Sequence, residues 1–316
     1  MRIVFMGTPD FAVASLEKII ESGQQVVAVV TAPDRPAGRG QKLMPSAVKE
    51  AALKHNIPVL QPEKLKSEEF IAKLKNINAD LFVVVAFRML PEIVWNMPKF
   101  GTINLHGSLL PQYRGAAPIN WAVINGEKET GVTTFFITHE IDTGNILEHR
   151  KIQISEKDNA GTIHDRLMMV GAELLAETIG KIKKNEIKAQ PQENFIGKLE
   201  LKHAPKIFRE TCKINWNNST EKIYNLIRGL SPYPAAYSDL SEEVKQNVSI
   251  KIFESIKENN KTNIPGHLET DGKTYLRIYT NDGSLSILSL QYPGKKRLSI
   301  EEFLKGNKIH EGAKFV

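Results

Sequence analysis

Along the first third of the chain, short apolar runs alternate with helix-forming segments. Residues 2–6, 25–31, 58–60 and 81–86 are apolar almost throughout, and 102–106, with Ile103 and Leu105, reads as a fifth strand. A strand with one solvated face alternates apolar and polar residues, whereas a strand without a polar side must be covered on both faces. Between these runs, residues 10–21 place Phe11, Leu16, Ile19 and Ile20 at helical spacing, and residues 67–75 also read as helical. Such alternation restricts the chain to a parallel sheet with crossover helices. Right-handed crossovers then give an α/β, doubly wound, Rossmann-like and mainly parallel sheet.

After Gly131 the rhythm changes. Residues 132–137 and 146–152 are strand-like and flank the turn sequence Asp142-Thr-Gly-Asn145, which predicts a hairpin appended to the sheet. Residues 159–184 predict one long amphipathic helix, with Ile163, Leu167, Val170, Leu174 and Leu175 on a common face. The chain then turns polar and carries Pro191 and Pro205. The division this predicts is a first domain over 1–189, a linker over 190–206 and a smaller domain over 207–316. In the last part, short strand-like runs at 248–253, 274–280 and 284–290 are separated by Asp271-Gly, Asp282-Gly and Pro293-Gly, the pattern of a small β-barrel.

With one cysteine, Cys212, the chain cannot close an intrachain disulfide, which suggests a reducing compartment. The apolar run at the N-terminus is too short for a signal peptide, and no run approaches the roughly 20 apolar residues of a membrane span. The expectation is a cytoplasmic monomer. The net charge is +6, and residues 206–316 hold 17 lysines and arginines against 13 aspartates and glutamates. That excess is compatible with a nucleic-acid partner.

Asn104 and His106 stand two apart on the strand-like run 102–106, so they share a face. An amide donor and a titratable imidazole would then point into one space at the end of a parallel strand, where open α/β sheets bind ligands. Asp142, from the next loop, could orient the imidazole. Taken singly, each has an ordinary structural explanation: a tied-down loop, a core histidine, an Asp-Thr-Gly turn. A metal site on His106, His139 and Asp142 is a weaker alternative, because no further His or Cys cluster supports it. The turn Met6-Gly-Thr-Pro-Asp10 lacks the G-x-G-x-x-G of a dinucleotide site, and reads instead as a helix start with Thr8 as cap and Pro9 as first helical residue. The segment 33–43 carries Arg35, Arg39 and Lys42, with Gly38 and Gly40 flanking Arg39, near the same sheet edge, which suggests a clamp for phosphate or nucleic acid. Lys295-Lys-Arg297 reads as a solvated turn.

These residues also carry a resemblance. Asn104-Leu-His106-Gly-Ser-Leu-Leu-Pro111, Tyr113-Arg-Gly-Ala-Ala-Pro118 and Ile141-Asp-Thr-Gly144 are similar to the folate-dependent formyltransferase superfamily. Met6-Gly-Thr-Pro-Asp-Phe11, the loop Asp34-Arg-Pro-Ala-Gly-Arg-Gly40 and Ala204-Pro-Lys-Ile207 resemble its tRNA-acting branch. The resemblance implies a catalytic domain over 1–189 and an OB-like, tRNA-binding barrel over 207–316. It implies 10-formyltetrahydrofolate as formyl donor and the α-amino group of initiator methionyl-tRNA as acceptor, with neither metal nor dinucleotide. Asn104, His106 and Asp142 match the catalytic trio. Ser108, Leu109, Leu110, Pro111 and Gln112 match the folate-contacting loop. Arg39, with Arg35 and Lys42 in the same loop, matches the arginine that engages the acceptor stem. The chain departs from the family at Asn215, where Asp is usual between Ile and Trp, and at Ala235, where Gly is usual after Pro. The rival expectations are a formyltransferase for a nucleotide-linked amino sugar and a tRNA-binding protein without catalysis.

Overall fold

A computed structural model describes residues 1–316 apart from 38–41, 198–199, 243–244, 259–262 and 311. The chain divides into two compact units, one of residues 1–118, 129–153 and 164–203, the other of residues 119–128, 154–163 and 204–316. Among the described residues no helix is long and apolar enough to cross a membrane.

The first unit is built on a seven-stranded sheet. From one edge to the other its strands are Ile146–Gln153, Glu129–Phe136, Thr102–His106, Leu81–Val85, Arg2–Gly7, Gln25–Val30 and Val59–Leu60. The five strands that come first in the chain are mutually parallel. Glu129–Phe136 then runs antiparallel to Thr102–His106, and Ile146–Gln153 antiparallel to it in turn, the expected appended hairpin. Both sheet faces are covered. Val4, Met6, Ala28, Val30, Phe82 and Val84 pack with Phe70 and Leu74 on one side. Ile3, Phe5, Val29, Val83 and Ile103, which alternate with them, are also fully buried.

Asp10–Glu21 forms the first helix, with the residues expected. Its start differs: Pro9 occupies the cap position without a side-chain bond, and Thr8 does not cap it. Instead the Pro9 carbonyl accepts from Ala12 N, and Asp10 Oδ1 accepts from Phe11 N. The crossover helix Glu68–Ile77 is capped by Ser67, whose hydroxyl accepts from Phe70 N. Segment 33–43, read as a loop, contains two short strands, Arg35–Ala37 and Lys42–Met44, paired antiparallel.

Gly7, Val85 and Leu105 lie in one row across the parallel strands, so His106 sits one residue beyond it at the C-terminal edge. Chain order reverses between Arg2–Gly7 and Leu81–Val85. That makes a topological switch point beside the His106 strand, the place where open α/β sheets present a ligand crevice.

In the second unit the sheet order is Leu268–Thr270, Leu276–Tyr279, Ser284–Gln291, Lys245–Glu258, Ala236–Glu242 and Lys314–Phe315. The outer strands meet through a bridge between His267 and Lys314 and a bond from Phe315 N to the Gly266 carbonyl, so the sheet nearly closes as a barrel. The helix Thr220–Leu230 is capped by Ser219 and packs Ile223, Ile227 and Leu230 into the barrel core with Ile250, Ile252, Leu285 and Ile287. Residues 119–128 and 154–163 are tied into this unit: Trp121 Nε1 donates to the Pro205 carbonyl, and Arg228 donates to the carbonyls of Ser155 and Asp158.

Both family departures have structural correlates. Asn215 Oδ1 accepts from Asn217 N at 3.0 Å, a role an aspartate would fill equally. Ala235 has φ of +75°, a left-handed conformation that glycine adopts without the clash of a Cβ.

Candidate active site

Asn104 and His106 come from adjacent positions on one face of the strand Thr102–His106. Asn104 lies opposite Val84 on one side and Phe135 on the other. It is half-buried, and its amide has no hydrogen-bond partner among the described residues. An unpaired amide in the middle of a sheet is a donor held ready for something other than the fold.

His106 is 6% exposed. Its Nε2 lies 2.9 Å from the Tyr113 carbonyl oxygen. A carbonyl can only accept, so Nε2 carries the proton and Nδ1 is the nitrogen turned toward Asp142. Nδ1 is 3.8 Å from Asp142 Oδ2, a charge-pair distance too long for a direct hydrogen bond. The ring is therefore oriented by a backbone carbonyl, with the carboxylate standing just off its other nitrogen. Phe135 closes one side of the imidazole edge-on, at 6.5 Å between ring centroids.

Asp142 is fixed from two directions. Its Oδ2 accepts from Gly115 N at 3.0 Å, and its own carbonyl accepts from Gln192 Nε2 at 2.8 Å. Its φ is +56° and that of Tyr113 is +61°. A tyrosine seldom adopts the left-handed region and costs about 1–3 kcal/mol there that the surroundings must offset, whereas an aspartate in a turn tolerates it. The residue whose carbonyl orients His106 thus has an unfavourable backbone conformation.

The segment Ser108–Gln112 is pinned beneath His106. Thr133, the cross-strand neighbour of His106, donates through Oγ1 to the Ser108 carbonyl and accepts from Leu110 N. Ser108 Oγ donates to the Gln112 carbonyl at 2.6 Å. The Gln112 side chain bonds the backbone of Glu200 and Lys202. Ser108, Leu110 and Pro111 are buried, and Leu109 and Gln112 half-buried. A ligand meeting this loop meets apolar side chains and backbone, because the polar side chains already have partners.

Gly144 marks how tightly the Asp142 turn is built. A Cβ there would lie 1.7 Å from the Phe136 carbonyl oxygen. Gly144→Ala is expected to displace the turn, with destabilisation of about 1–3 kcal/mol or more. Thermal unfolding checks the stability, and the turnover number should fall with it. An unchanged melting temperature and turnover would mean the turn tolerates displacement.

Of the basic residues, Arg35 is exposed at the start of its strand, Lys42 lies in the strand Lys42–Met44, and Arg39 lies outside the described residues. The base of this hairpin is clamped. Asp34 accepts from Lys49 Nζ at 2.6 Å and from Gln61 Nε2 at 2.7 Å, and those bonds hold its carboxyl below the usual carboxylate range. Desolvation, and after it the charge of Arg35, pushes the Arg88 guanidinium down, so both cations bear on one patch of surface. His139, Asp142 and His106 do not form a metal site: among the described residues no three such side chains gather to hold an ion.

Gln192 and Arg114 belong to this site and were not picked out as functional from the sequence. Gln192 lies in polar sequence that predicts a solvated linker, and Arg114 stands in a motif, Tyr113-Arg-Gly-Ala-Ala-Pro118, whose residues had no assigned role.

The formyl transferase family model matches residues 1–179, and that of the formyl transferase C-terminal domain matches residues 206–308. The methionyl-tRNA formyltransferase of Bacteroides fragilis is 56% identical over 315 residues, covering 99% of this chain and 97% of its own. That of Flavobacterium johnsoniae is 50% identical over 315 residues, covering 99% and 98%. Among solved structures, an N-formyltransferase from Helicobacter canadensis, in complex with folinic acid and dTDP-3-aminofucose, superposes with a TM-score of 0.63. It is 23% identical and covers 94% of this chain and 99% of its own, a likeness of fold.

Proposed function

The chain belongs to the formyl transferase family, and we propose that it is the enzyme that formylates initiator methionyl-tRNA. It transfers the formyl group of 10-formyltetrahydrofolate to the α-amino group of the methionyl ester, giving N-formylmethionyl-tRNA for translation initiation. The observation that carries this reading is identity of 50–56% to methionyl-tRNA formyltransferases along nearly the whole chain, both domains included. It works as a single chain in the cytoplasm, where charged tRNA and folate are found together.

The residues present fit such a donor. Asn104 offers an amide with no partner among the described residues, two positions before His106 on a strand near the switch point of the sheet. The segment Ser108–Gln112 supplies apolar side chains and backbone groups suited to a heterocycle with apolar faces and hydrogen-bonding edges. As the α-amine attacks the formyl carbon, negative charge grows on the formyl oxygen. Asn104 donates to that oxygen, and protonated His106 stabilises it. The bond from the formyl carbon to the donor nitrogen then breaks, and the proton lost by the amine ends on that nitrogen. A water within reach of both His106 Nδ1 and Asp142 Oδ2, across their 3.8 Å gap, lets these two groups carry the proton.

Arg35, Arg39 and Lys42 hold the acceptor stem through its phosphates. Arg39→Ala is expected to weaken productive tRNA binding and to reduce the slope of log affinity against log salt by about 1, as loss of one phosphate contact requires. Folate kinetics should not change. Measured tRNA affinities that are identical for wild type and variant across a salt series would remove Arg39 from the interface.

The direct test is incubation with methionyl-tRNA and 10-formyltetrahydrofolate, followed by analysis for formylmethionine. A parallel reaction offers a nucleotide-linked amino sugar as acceptor. Formylation of the sugar and not of the tRNA would assign the chain to the sugar branch. Binding of tRNA without formyl transfer would make it a binding protein.

A further inference from the structure

Gln192 is 1% exposed, yet it carries an amide that must be satisfied on both its oxygen and its nitrogen. It is saturated by one set of neighbours. Its Oε1 accepts from Arg114 Nε at 3.0 Å and from Arg114 Nη2 at 2.6 Å. Its Nε2 donates to the carbonyls of Asp142 at 2.8 Å and Gly144 at 2.9 Å. Both carbonyls belong to the turn that carries the Asp142 carboxylate, and Asp142 is in the left-handed conformation.

The three consecutive residues Tyr113, Arg114 and Gly115 each hold a different part of the site. The Tyr113 carbonyl fixes His106, and Gly115 N–H fixes the Asp142 carboxylate. Arg114 fixes Gln192, which fixes the Asp142 backbone. One short stretch of chain thereby sets both ends of the His106–Asp142 separation.

We infer that Gln192, held by Arg114, is a positioning residue that sets the Asp142 carboxylate against His106 for formyl transfer. This rests on the reading of Asp142 given above. Gln192 touches no reacting atom. Without its two donated bonds, the turn loses the side-chain restraint on its backbone, and the carboxylate, held then through Gly115 N, drifts from its placement 3.8 Å from His106 Nδ1.

The test is a double-mutant cycle read by steady-state formylation of methionyl-tRNA. Gln192→Leu keeps most of the side-chain volume and removes every bond. Alone it is expected to lower kcat about 10–100-fold, the usual range for a group that orients a reacting one. Each KM should stay within about threefold of wild type, because ground-state binding is not altered. In an Asp142→Ala background, Gln192→Leu is expected to lower kcat no further, since the carboxylate it positions is gone. Should Gln192→Leu not fold, Gln192→Glu, which keeps the acceptor for Arg114 and loses the two donated bonds, is read in the same cycle. A kcat near wild type for the Gln192 variant, or a loss that simply multiplies with that of Asp142→Ala, overturns the inference and leaves the role of Asp142 standing. Wild-type kcat for Asp142→Ala overturns both.

Discussion

His106→Ala is expected to lower kcat about 10²–10⁴-fold, the range for loss of a positioned acid–base group. KM for the folate donor should change little, because His106 acts where charge and protons move. The site predicts a structural effect as well, and the two can be separated. His106 is buried, and its removal takes away the bond to the Tyr113 carbonyl. A lost buried hydrogen bond costs about 0.5–1.5 kcal/mol. His106→Gln supplies an N–H that can reach that carbonyl but cannot take up and release a proton. It should recover part of the melting temperature lost in the alanine variant and none of the turnover. Recovery of turnover with stability would mean that His106 serves packing alone, and wild-type turnover in His106→Ala would end its assignment to proton transfer.

The parts of the fold that were legible are those written in local periodicity. The helix Asp10–Glu21 and the strand Thr102–His106 have the bounds that their apolar spacing predicts. The hairpin of Glu129–Phe136 and Ile146–Gln153 follows from turn residues between two strand-like runs. Asn104 and His106 were legible as a pair because the strand period alone puts them on one face. Long-range partnership was not legible. A polar stretch such as 190–203 reads the same whether it is solvated or contains a glutamine buried under four hydrogen bonds, since the bonds come from Arg114, Asp142 and Gly144, far away in sequence. Residues 119–128 and 154–163 carry no local sign that they associate with the second unit, because contacts such as Trp121 to Pro205 and Arg228 to Ser155 are tertiary. The agent that orients His106 was missed for a related reason. It is a backbone carbonyl, that of Tyr113, and backbone groups have no signature in side-chain chemistry.

Asn104→Ala is expected to separate stability from activity in the opposite sense to His106→Ala. The Asn104 amide is half-buried on a strand flanked by Ile103 and Leu105, both buried, and it has no partner among the described residues. Partial burial of an unpaired amide is unfavourable to the folded state. Replacement by alanine removes that group, so the melting temperature should hold or rise. Turnover should fall about 10²–10³-fold, equivalent to about 2.7–4 kcal/mol, the loss found when one donor to a developing oxyanion is removed. KM for either substrate should change far less, because the formyl oxygen becomes a strong acceptor only as charge develops on it. Asn104→Asp sharpens the test: it keeps the shape, replaces the donor with an acceptor, and should be at least as inactive as the alanine variant. A stable, inactive Asn104→Ala is the pattern of a site residue kept against the interest of the fold. If the variant instead lost stability while its folded fraction turned over at the wild-type rate, Asn104 would be a structural strand residue, and the charge on the formyl oxygen would have to be met by His106 alone.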